Sequence, residues 1–292
     1  MDKKTITENI RINKYLSSAG ICSRREADQY TDAGRITVNG KVIATGEKIP
    51  ADARVCLDGK PVSAENKQVL LLFYKPEGIV CSTKKQRQET TVTEYLQYPI
   101  RIYPVGRLDK DSQGLLLLTN QGDLVNRIMR AGNFHEKEYL VTVDREATAP
   151  FIRHMSEGVP ILDTVTRKCV VEKTGKYSFR IVLTQGLNRQ IRRMCSYFGY
   201  KVRTLKRVRI MNLTLDGLKP SEFREIRPEE WQELTQMLKN SSNETITGGH
   251  YGNSPAADER AGKKIKQGGK SLLSGRQGDH GQQGVRRSVR PS

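Results

Sequence analysis

The order of apolar and polar positions along the chain predicts two folded units followed by a polar tail. Apolar runs at 69–74 and 115–118 are short and are bounded by charged or Gly-containing segments, as is typical of buried strands. Elsewhere apolar residues recur three or four positions apart, which predicts amphipathic helices. We expect the first unit at 8–67, the second at 68–240 and the tail at 241–292.

The first unit is predicted to contain two helices and a hairpin. Ile12 and Leu16 lie one turn apart and share a helical face. Ser23 and Glu26 have the spacing of a capping box, in which each side chain bonds the other's backbone amide, so a second helix begins there. Residues 36–43 then give a strand, an Asn-Gly turn and a return strand. A module of this size is too small to be an ordinary enzyme.

The second unit mixes strands and helices. Strands are predicted at 69–74, 102–105, 115–119, 138–143, 168–172, 178–184 and 202–210. Helices are predicted at 93–97, 123–130, 150–157, 188–198 and 228–239, the last with an apolar stripe of Trp231, Leu234 and Leu238. Because strands follow strands as often as they alternate with helices, we expect an α+β fold with a mixed, largely antiparallel sheet.

The charge of the chain predicts a polyanionic partner. Lys and Arg number 50 against 32 Asp and Glu, which gives a net charge of +18 over 292 residues. Nucleic acid is the favoured partner, ahead of an anionic membrane surface or simple solubility, because no basic amphipathic helix or lipidation signal supports a membrane role. The apolar runs are too short to cross a bilayer and no signal peptide is recognised, so we expect a cytoplasmic protein.

The cysteines and histidines do not predict a metal site. The five cysteines form no C-x-x-C pair, and an odd number in a cytoplasmic chain indicates free thiols. The four histidines are scattered, so surface or core positions are favoured over metal ligation. The tail is rich in Gly, Ser, Gln and basic residues, which predicts a disordered basic segment that either contacts phosphates nonspecifically or has no function.

Polar residues interrupt the apolar pattern of the second unit at three places, 72–78, 105–119 and 184–194. Arg107 and Asp109 are two residues apart in the second stretch, and Arg192 lies on the helix predicted in the third. A carboxylate at a strand end that faces a fixed guanidinium stays ionised and oriented, and it can act as a nucleophile. An ordinary turn aspartate that accepts loop amides is the alternative reading of the Asp109 loop alone.

Basic residues cluster in both units. Four would gather near the first turns of two adjacent helices, where guanidinium forks and helix N-termini can bind phosphates: Arg11, Lys14, Arg24 and Arg25. Eight more lie between 189 and 209 with no acidic residue among them: Arg189, Arg192, Arg193, Lys201, Arg203, Lys206, Arg207 and Arg209. We expect these residues, apart from Arg192, to contact RNA rather than to be merely solvated.

The motifs resemble two known families. The order Arg-Ile-Asn-Lys-Tyr-Leu, Ser-Arg-Arg-Glu-Ala, Gly-Arg-Ile-Thr-Val-Asn-Gly is similar to the S4 RNA-binding domain. Lys-Pro-x-Gly, Gly-Arg-Leu-Asp-x-x-Ser-x-Gly-Leu-Leu-Leu-Leu-Thr-Asn, Lys-x-Tyr and Gly-x-Asn-Arg-Gln-Ile-Arg-Arg-Met resemble the pseudouridine synthase family. With the S4-like unit, the resemblance points to the branch that modifies bacterial ribosomal RNA, and it spans residues 8–240.

The resemblance implies a role for each motif residue. Asp109 would be the essential aspartate, Arg192 its ion-pair partner, and Tyr139 the aromatic residue that stacks on the target base and could accept its proton. Arg107 would help to displace the uridine. Asp111 falls at a variable position of the motif and is the less favoured carboxylate.

The implied reaction isomerises uridine to pseudouridine in structured RNA, with 23S ribosomal RNA as the leading substrate and transfer RNA left open. It transfers no electrons and gains no atoms, so we expect no cofactor, ATP or metal. A nucleoside or glycoside hydrolase would need two carboxylates flanking the bond, which Asp109 and Asp111 do not suit. A non-catalytic S4-domain RNA-binding or ribosome-assembly protein is the alternative function. We expect a monomer.

Overall fold

Short helices and strands build the N-terminal part of the chain, as the sequence pattern predicts. The computed structural model describes residues 9–50, 52–63, 67–82 and 88–241, so the predicted tail lies almost wholly outside them. The N-terminal elements are β1 (Ile10–Arg11), α1 (Ile12–Ser18), α2 (Arg24–Asp32), β2 (Ile36–Val38), β3 (Lys41–Val42), β4 (Lys48–Ile49), β5 (Val55–Leu57) and β6 (Lys60–Pro61).

The predicted capping box and hairpin are both confirmed. Ser23 Oγ accepts a hydrogen bond from the amide of Glu26 at 3.2 Å, and the amide of Ser23 donates to Glu26 Oε2 at 2.7 Å. Strands β2 and β3 pair around Asn39, which adopts a left-handed backbone with φ of 50°. Ile12 and Leu16 are fully buried in the core of this part.

The second part carries the remaining elements. The strands are β7 (Leu70–Lys75), β8 (Tyr103–Val105), β9 (Gln113–Thr119), β10 (Lys137–Val143), β11 (Pro160–Ile161), β12 (Thr164–Val165), β13 (Val170–Gly175), β14 (Ser178–Leu183), β15 (Val202–Ile210), β16 (Leu213–Thr214) and β17 (Phe223–Glu225). The helices are α3 (Val92–Leu96), α4 (Gly122–Met129), α5 (Ala149–Glu157), α6 (Gln190–Tyr197) and α7 (Pro228–Met237), with a 3₁₀ turn at Ala131–Asn133.

Within the described residues, nine of these strands form one sheet in the order β13-β14-β10-β15-β9-β7-β17, with β16 paired to β15 and β8 to β9. Every pair in it is antiparallel except β9 with β15. The α+β class with a mixed, largely antiparallel sheet is therefore confirmed. The parallel pair is only two residues long, Lys206 with Gln113 and Arg207 with Gly114.

Apolar side chains from both faces of the sheet pack against helices. Leu234 and Leu238 are buried in one cluster and Trp231 packs against it, so the predicted stripe is core. A second cluster joins Val141, Ile181 and Leu205 of the sheet to Ile191 and Met194 of α6, among others. Among the described residues, no helix combines the length and the apolar character needed to cross a membrane.

Some predicted boundaries are wrong for identifiable reasons. The strand expected at 168–172 is Val170–Gly175, because Lys168 and Cys169 belong to the connection from the β11–β12 hairpin. Helix α6 begins at Gln190 rather than at Asn188, because Arg189 adopts a left-handed backbone with φ of 49°. Strand β17 was not predicted, because its pattern is short and largely exposed.

Candidate active site

The loop that carries Asp109 runs from β8 to the buried strand β9, and a glycine lies near each of its ends. Gly106 and Gly114 have φ of +74° and +111°, values that L side chains rarely adopt. A Cβ atom at Gly114 would lie 2.1 Å from the carbonyl oxygen and 2.7 Å from the amide nitrogen of Arg207. Glycine at 114 is therefore required for β9 to approach β15.

Donors from β15, β7 and the turn after β7 bond the backbone of this loop and of the start of β9. Arg207 Nε donates to the carbonyl of Leu115 at 2.7 Å and its Nη1 to the carbonyl of Arg107 at 3.4 Å. Lys75 Nζ donates to the carbonyl of Ser112 at 2.8 Å. The amide of Gly78 donates to the carbonyl of Lys110 at 2.8 Å.

These contacts give a physical role to the Lys-Pro-x-Gly motif, which is weak as a sequence signal. Lys75 is fully buried at the end of β7 and Gly78 follows in the turn, and both bond the Asp109 loop. Cys81 adds a third contact, because the amide of Leu108 donates to its Sγ atom at 3.4 Å. The turn after β7 therefore serves as a support for the loop.

The Asp109 side chain remains accessible above this support, with 31% of it exposed. Arg189 Nη1 lies 3.7 Å from Asp109 Oδ2. The predicted ion pair between Asp109 and Arg192 is not among those of the described residues. Arg192 instead approaches Asp111, Nε to Oδ2 at 3.4 Å, and donates to the Asp111 carbonyl and to Ser112 Oγ. These contacts hold the Arg192 guanidinium at Asp111 and Ser112, whereas Arg189, at the N-cap of α6, is the arginine that reaches Asp109.

Asp111 is the carboxylate that orders the two arginines. Arg189 binds it with both terminal nitrogens, at 3.2 and 2.8 Å. The hydrogen bonds from Arg189, and then the nearby charge of Arg192, hold the pKa of Asp111 below its ordinary value. The residue at the variable motif position thus has the stronger guanidinium contacts, whereas Asp109 is left with one long contact.

Tyr139 is brought to the same region by the sheet register. It lies directly opposite Arg207 on β15, and Arg207 lies opposite Gly114 on β9. Two strand spacings therefore separate the backbones of Tyr139 and Gly114, a distance of roughly 10 Å. Directly opposite residues point to one face of a sheet, so Tyr139 and Arg207 share a face. Helix α6, which carries Arg192, packs on that face.

Three cations are buried in the sheet beside the loop: Lys75, Lys137 and Arg207, with exposures of 0, 3 and 1%. Burial lowers the pKa of Lys75, an effect that nearby acids including Asp111 and Asp109 oppose. Burial, together with the charge of Arg207, lowers the pKa of Lys137 to about 8. Lys137 Nζ donates to the carbonyl of His135 at 3.0 Å.

The burial of Arg207 contradicts its predicted place on an RNA-binding surface. The strand period of two turns Arg207 inward with Leu205, and its side chain bonds loop carbonyls instead of solvent. Lys206, on the opposite face, lies with Nζ 4.9 Å from the Tyr74 ring centroid. Arg209 also departs from its predicted place, because it is partly buried and forms ion pairs with Glu136 and Glu138. The remaining predicted RNA contacts in this part are exposed: Arg107, Arg189, Arg193, Lys201 and Arg203.

The N-terminal basic residues divide into two sets. Arg11, Arg24 and Arg25 are exposed. Lys14 instead forms an ion pair with Asp123 of α4, Nζ to Oδ2 at 2.7 Å, and Arg101 donates to the carbonyl of Cys22. Lys14 and Arg24 also line a cleft of about 470 Å³ between α1, α2 and α4. Lys14 thus has a partner within the protein in place of the phosphate that its position predicted.

The sequence reasoning missed Lys75, Lys137, Gly114 and Asp111 as parts of the site. Lys75 ends a strand that is otherwise apolar, and a lysine in such a run is the signal that could have identified it. Lys137 lies between Glu136 and Glu138, so its burial leaves no such signal in the sequence. Nothing in the sequence distinguishes Asp111 from Asp109 as the partner of α6, because that contact spans some 80 residues of chain.

Comparisons with known proteins agree with the motifs. A family model described as RNA pseudouridylate synthase matches residues 69–197, and the S4 domain model matches residues 10–55. The chain is 50% identical over 238 residues to the dual-specificity RNA pseudouridine synthase RluF of Escherichia coli (strain K12), which covers 81% of this chain and 82% of that protein.

A more distant relative and a solved structure are also similar to this chain. The ribosomal large subunit pseudouridine synthase B of Bacillus subtilis (strain 168) is 32% identical over 241 residues, covering 80% of this chain and 98% of that protein. A crystal structure of a pseudouridylate synthase superimposes with a TM-score of 0.58 at 24% identity, over 77% of this chain and 99% of that one. At that identity the structural likeness speaks for the fold alone.

Proposed function

The chain belongs to the RNA pseudouridine synthase family, whose members isomerise uridine in RNA, and we propose that its substrate is large-subunit ribosomal RNA and that Asp109 is its catalytic carboxylate. The proposal that Asp109 is catalytic rests on the set of hydrogen bonds that fix the backbone of its loop. Arg207, Lys75 and Gly78 bond its backbone while a third of the carboxylate stays exposed.

The reaction needs a carboxylate held in this way. The bond from ribose C1′ to N1 breaks, the uracil turns, C5 joins C1′, the proton leaves C5 and N1 gains one, so no atom or electron is exchanged overall. Asp109 either attacks C1′ or removes a sugar proton, and in both routes its charge offsets charge that develops at the sugar. A loop fixed before substrate binds does not have to reorganise during the reaction.

The neighbouring side chains suit the handling of the base. A base must leave its stack to be reached, which costs roughly a few kcal/mol. Tyr139 shares a sheet face with the support of the loop and would stack on the uracil. Arg107 is exposed at the start of the loop and would occupy the space that the uridine leaves. Arg189 replaces Arg192 in our proposal as the guanidinium facing Asp109, and Arg192 keeps Asp111 and Ser112 in place.

The relatives support ribosomal RNA as the substrate. The Bacillus subtilis protein is named for the large ribosomal subunit, and the name of the Escherichia coli protein states a dual specificity for RNA. An S4 domain at the N-terminus and the net charge of +18 favour a large structured RNA. We expect the enzyme to act in the cytoplasm as a monomer, with a second structured RNA as an additional substrate.

Substitution of Asp109 by asparagine tests the catalytic part. The variant keeps the size of the side chain, so it is expected to bind RNA with unchanged affinity in a gel-shift assay and to form no pseudouridine by carbodiimide-stop primer extension. Asp58→Asn, which removes an exposed acidic partner of Arg35, is the matched control and is expected to retain activity. Product formation by Asp109→Asn at the wild-type rate would overturn the assignment.

The substrate is tested separately, by mapping pseudouridine in total RNA from cells with and without the gene. Loss of defined sites in 23S ribosomal RNA is expected. Loss confined to transfer RNA would overturn the substrate and leave the role of Asp109 standing. Loss of no site, with RNA binding intact, would favour the non-catalytic S4-domain alternative.

A further inference from the structure

Phe134 has a backbone conformation and a solvent exposure that are both unusual for a phenylalanine. It follows the 3₁₀ turn in a left-handed conformation with φ of 56°, which bulky residues seldom adopt. Its side chain is exposed to 58%. Asparagine or glycine is the usual residue at an exposed position with a left-handed backbone.

The ring is nevertheless held in a defined setting. The guanidinium carbon of Arg167 lies 4.2 Å from the ring centroid. Arg167 Nη1 donates to the carbonyl of Ala131 at 2.9 Å and approaches that of Thr184 at 3.5 Å, so the guanidinium is anchored to two segments. One face of the ring is covered by a fixed cation, and the exposure of the residue leaves the other face to solvent.

The residues on both sides of Phe134 are anchored as well. Asn133 Nδ2 donates to the carbonyl of Arg127 at 2.7 Å. His135 Nδ1 lies 3.1 Å from the carbonyl of Ile128, and its Nε2 lies 3.0 Å from Ser241 Oγ. The ring therefore projects from a backbone that is already ordered, which lowers the entropy lost when a ligand binds.

The segments around Phe134 are those that build the candidate active site. Strand β10, which carries Tyr139, begins three residues later at Lys137. Met129, at the end of α4, packs against Gly106, because a Cβ atom there would lie 2.2 Å from its Cε atom. Thr184, which anchors Arg167, leads within five residues to Arg189 beside Asp109.

We propose that Phe134, backed by Arg167, is a stacking site for an unpaired nucleobase of the substrate RNA close to the target uridine. The inference rests on the proposed function, since it takes RNA as the substrate. A nucleobase presents a flat face that stacks on a phenyl ring, and the strand attached to it brings phosphates to the adjacent cation. Among the ion pairs of the described residues none involves Arg167, so its charge is not cancelled by an acid.

The surroundings of the Phe134 ring differ from those of an aromatic residue that packs in a core. A ring that served the core would be buried among apolar side chains, whereas Phe134 touches a guanidinium and solvent. Aromatic stacking on one base changes affinity by about 10- to 100-fold when the ring is removed. The ring should therefore affect how tightly RNA binds and have little effect on the chemical step at Asp109.

Phe134→Asn makes the decisive variant, because asparagine tolerates the left-handed backbone. The probe is deproteinised large-subunit ribosomal RNA from cells that lack the gene, with initial rates measured over a range of RNA concentrations. We expect KM to rise about 10- to 100-fold with kcat nearly unchanged, and thermal stability equal to or above that of the wild type. Phe134→Tyr keeps a ring and is expected to restore the KM. Phe223→Leu, which alters another exposed phenylalanine, is the control and should leave KM unchanged.

The outcomes separate this inference from the proposed function. If the wild type forms no pseudouridine in any RNA, the proposed function fails. If the wild type is active and Phe134→Asn has the wild-type KM, only the stacking site is overturned. A drop in melting temperature that explains the loss of activity would also overturn it, since that result assigns Phe134 to packing. Because the probe is free of protein, a role in contacting a ribosomal protein would leave KM unchanged and count against the proposal.

Discussion

Replacement of Gly114 by alanine is the sharpest test of how the Asp109 loop is joined to the sheet. The added Cβ atom would lie 2.1 Å from the carbonyl oxygen of Arg207, which is backbone and cannot turn aside as a side chain would. The two strands must separate, and the parallel contact between β9 and β15 is only two residue pairs long. Arg207 would then lose its bonds to the carbonyls of Leu115 and Arg107.

The expected cost follows from these terms. An L residue at positive φ costs about 1–2 kcal/mol. Two or three lost hydrogen bonds add about 2–3 kcal/mol, at about 1 kcal/mol each. Gly114→Ala should therefore lower the free energy of unfolding by about 4 kcal/mol. Gly217→Ala is the matched control, because Gly217 has φ of +80° with no atom within 4 Å of the added Cβ, so only the first cost applies.

The free energy of unfolding of both variants can be measured by urea unfolding followed by tryptophan fluorescence, because the fluorophore packs close to β9. Trp231 is the single tryptophan, and it packs against the cluster that contains Leu115 and Leu117 of β9. Pseudouridine formation should fall sharply in Gly114→Ala and remain near the wild-type rate in Gly217→Ala. Equal losses of stability in the two variants would refute the view that close strand approach, rather than φ alone, requires this glycine.

Two further substitutions probe the charges around the loop. Asp111→Asn removes the negative charge and one of the two carboxylate oxygens that order Arg189 and Arg192, so kcat/KM should fall roughly 10- to 100-fold while some product still forms. A complete loss equal to that of Asp109→Asn would mean that Asp111 is itself indispensable. Lys137→Met tests the buried ammonium, whose pKa falls from 10.5 to about 8, a difference worth about 3 kcal/mol. The unfolded chain keeps this proton up to about pH 10.5 and the folded chain releases it from about pH 8, so the wild type should gain stability relative to Lys137→Met as the pH rises through that window. Parallel stability curves for the two proteins between pH 7.5 and 10.5 would show that Lys137 is charged and unperturbed.

Local patterns in the sequence were sufficient to predict much of the fold. The strands near 70 and 115 follow from continuous apolar runs, because a strand covered on both faces needs no polar alternation. The capping box at Ser23 follows from two residues three positions apart. Such features depend on neighbours in the chain, so no knowledge of the tertiary structure was needed.

The contacts of the candidate site could not be read in this way. The basic residues between 189 and 209 look alike in the sequence, yet they divide between helix α6 and strand β15, whose periods differ. On the strand Arg207 is buried with Leu205, whereas Arg203, which the alternation would place on the same face, is exposed beside a register shift between Thr142 and Val143 that the sequence does not reveal. On the helix the choice of Arg192 between two carboxylates depends on how α6 packs against the loop. The family motif indicates that an arginine is needed on α6. Which aspartate that arginine contacts is decided by the packing of the helix against the loop.

The burial of Lys75 and Arg207 in the sheet is costly for stability and can be explained by their role at the Asp109 loop. A buried ammonium or guanidinium destabilises a fold unless it is well bonded, and an apolar residue would usually be more stable in its place. Lys75 and Arg207 give their hydrogen bonds to backbone carbonyl oxygens of the Asp109 loop and of the segments next to it, so their positive charges are not cancelled by a bonded carboxylate. A fixed positive potential below the loop favours both the incoming phosphates and negative charge on the departing uracil. The same two side chains also fix the loop geometry, so replacing either by an apolar residue should cost activity even where it preserves the fold.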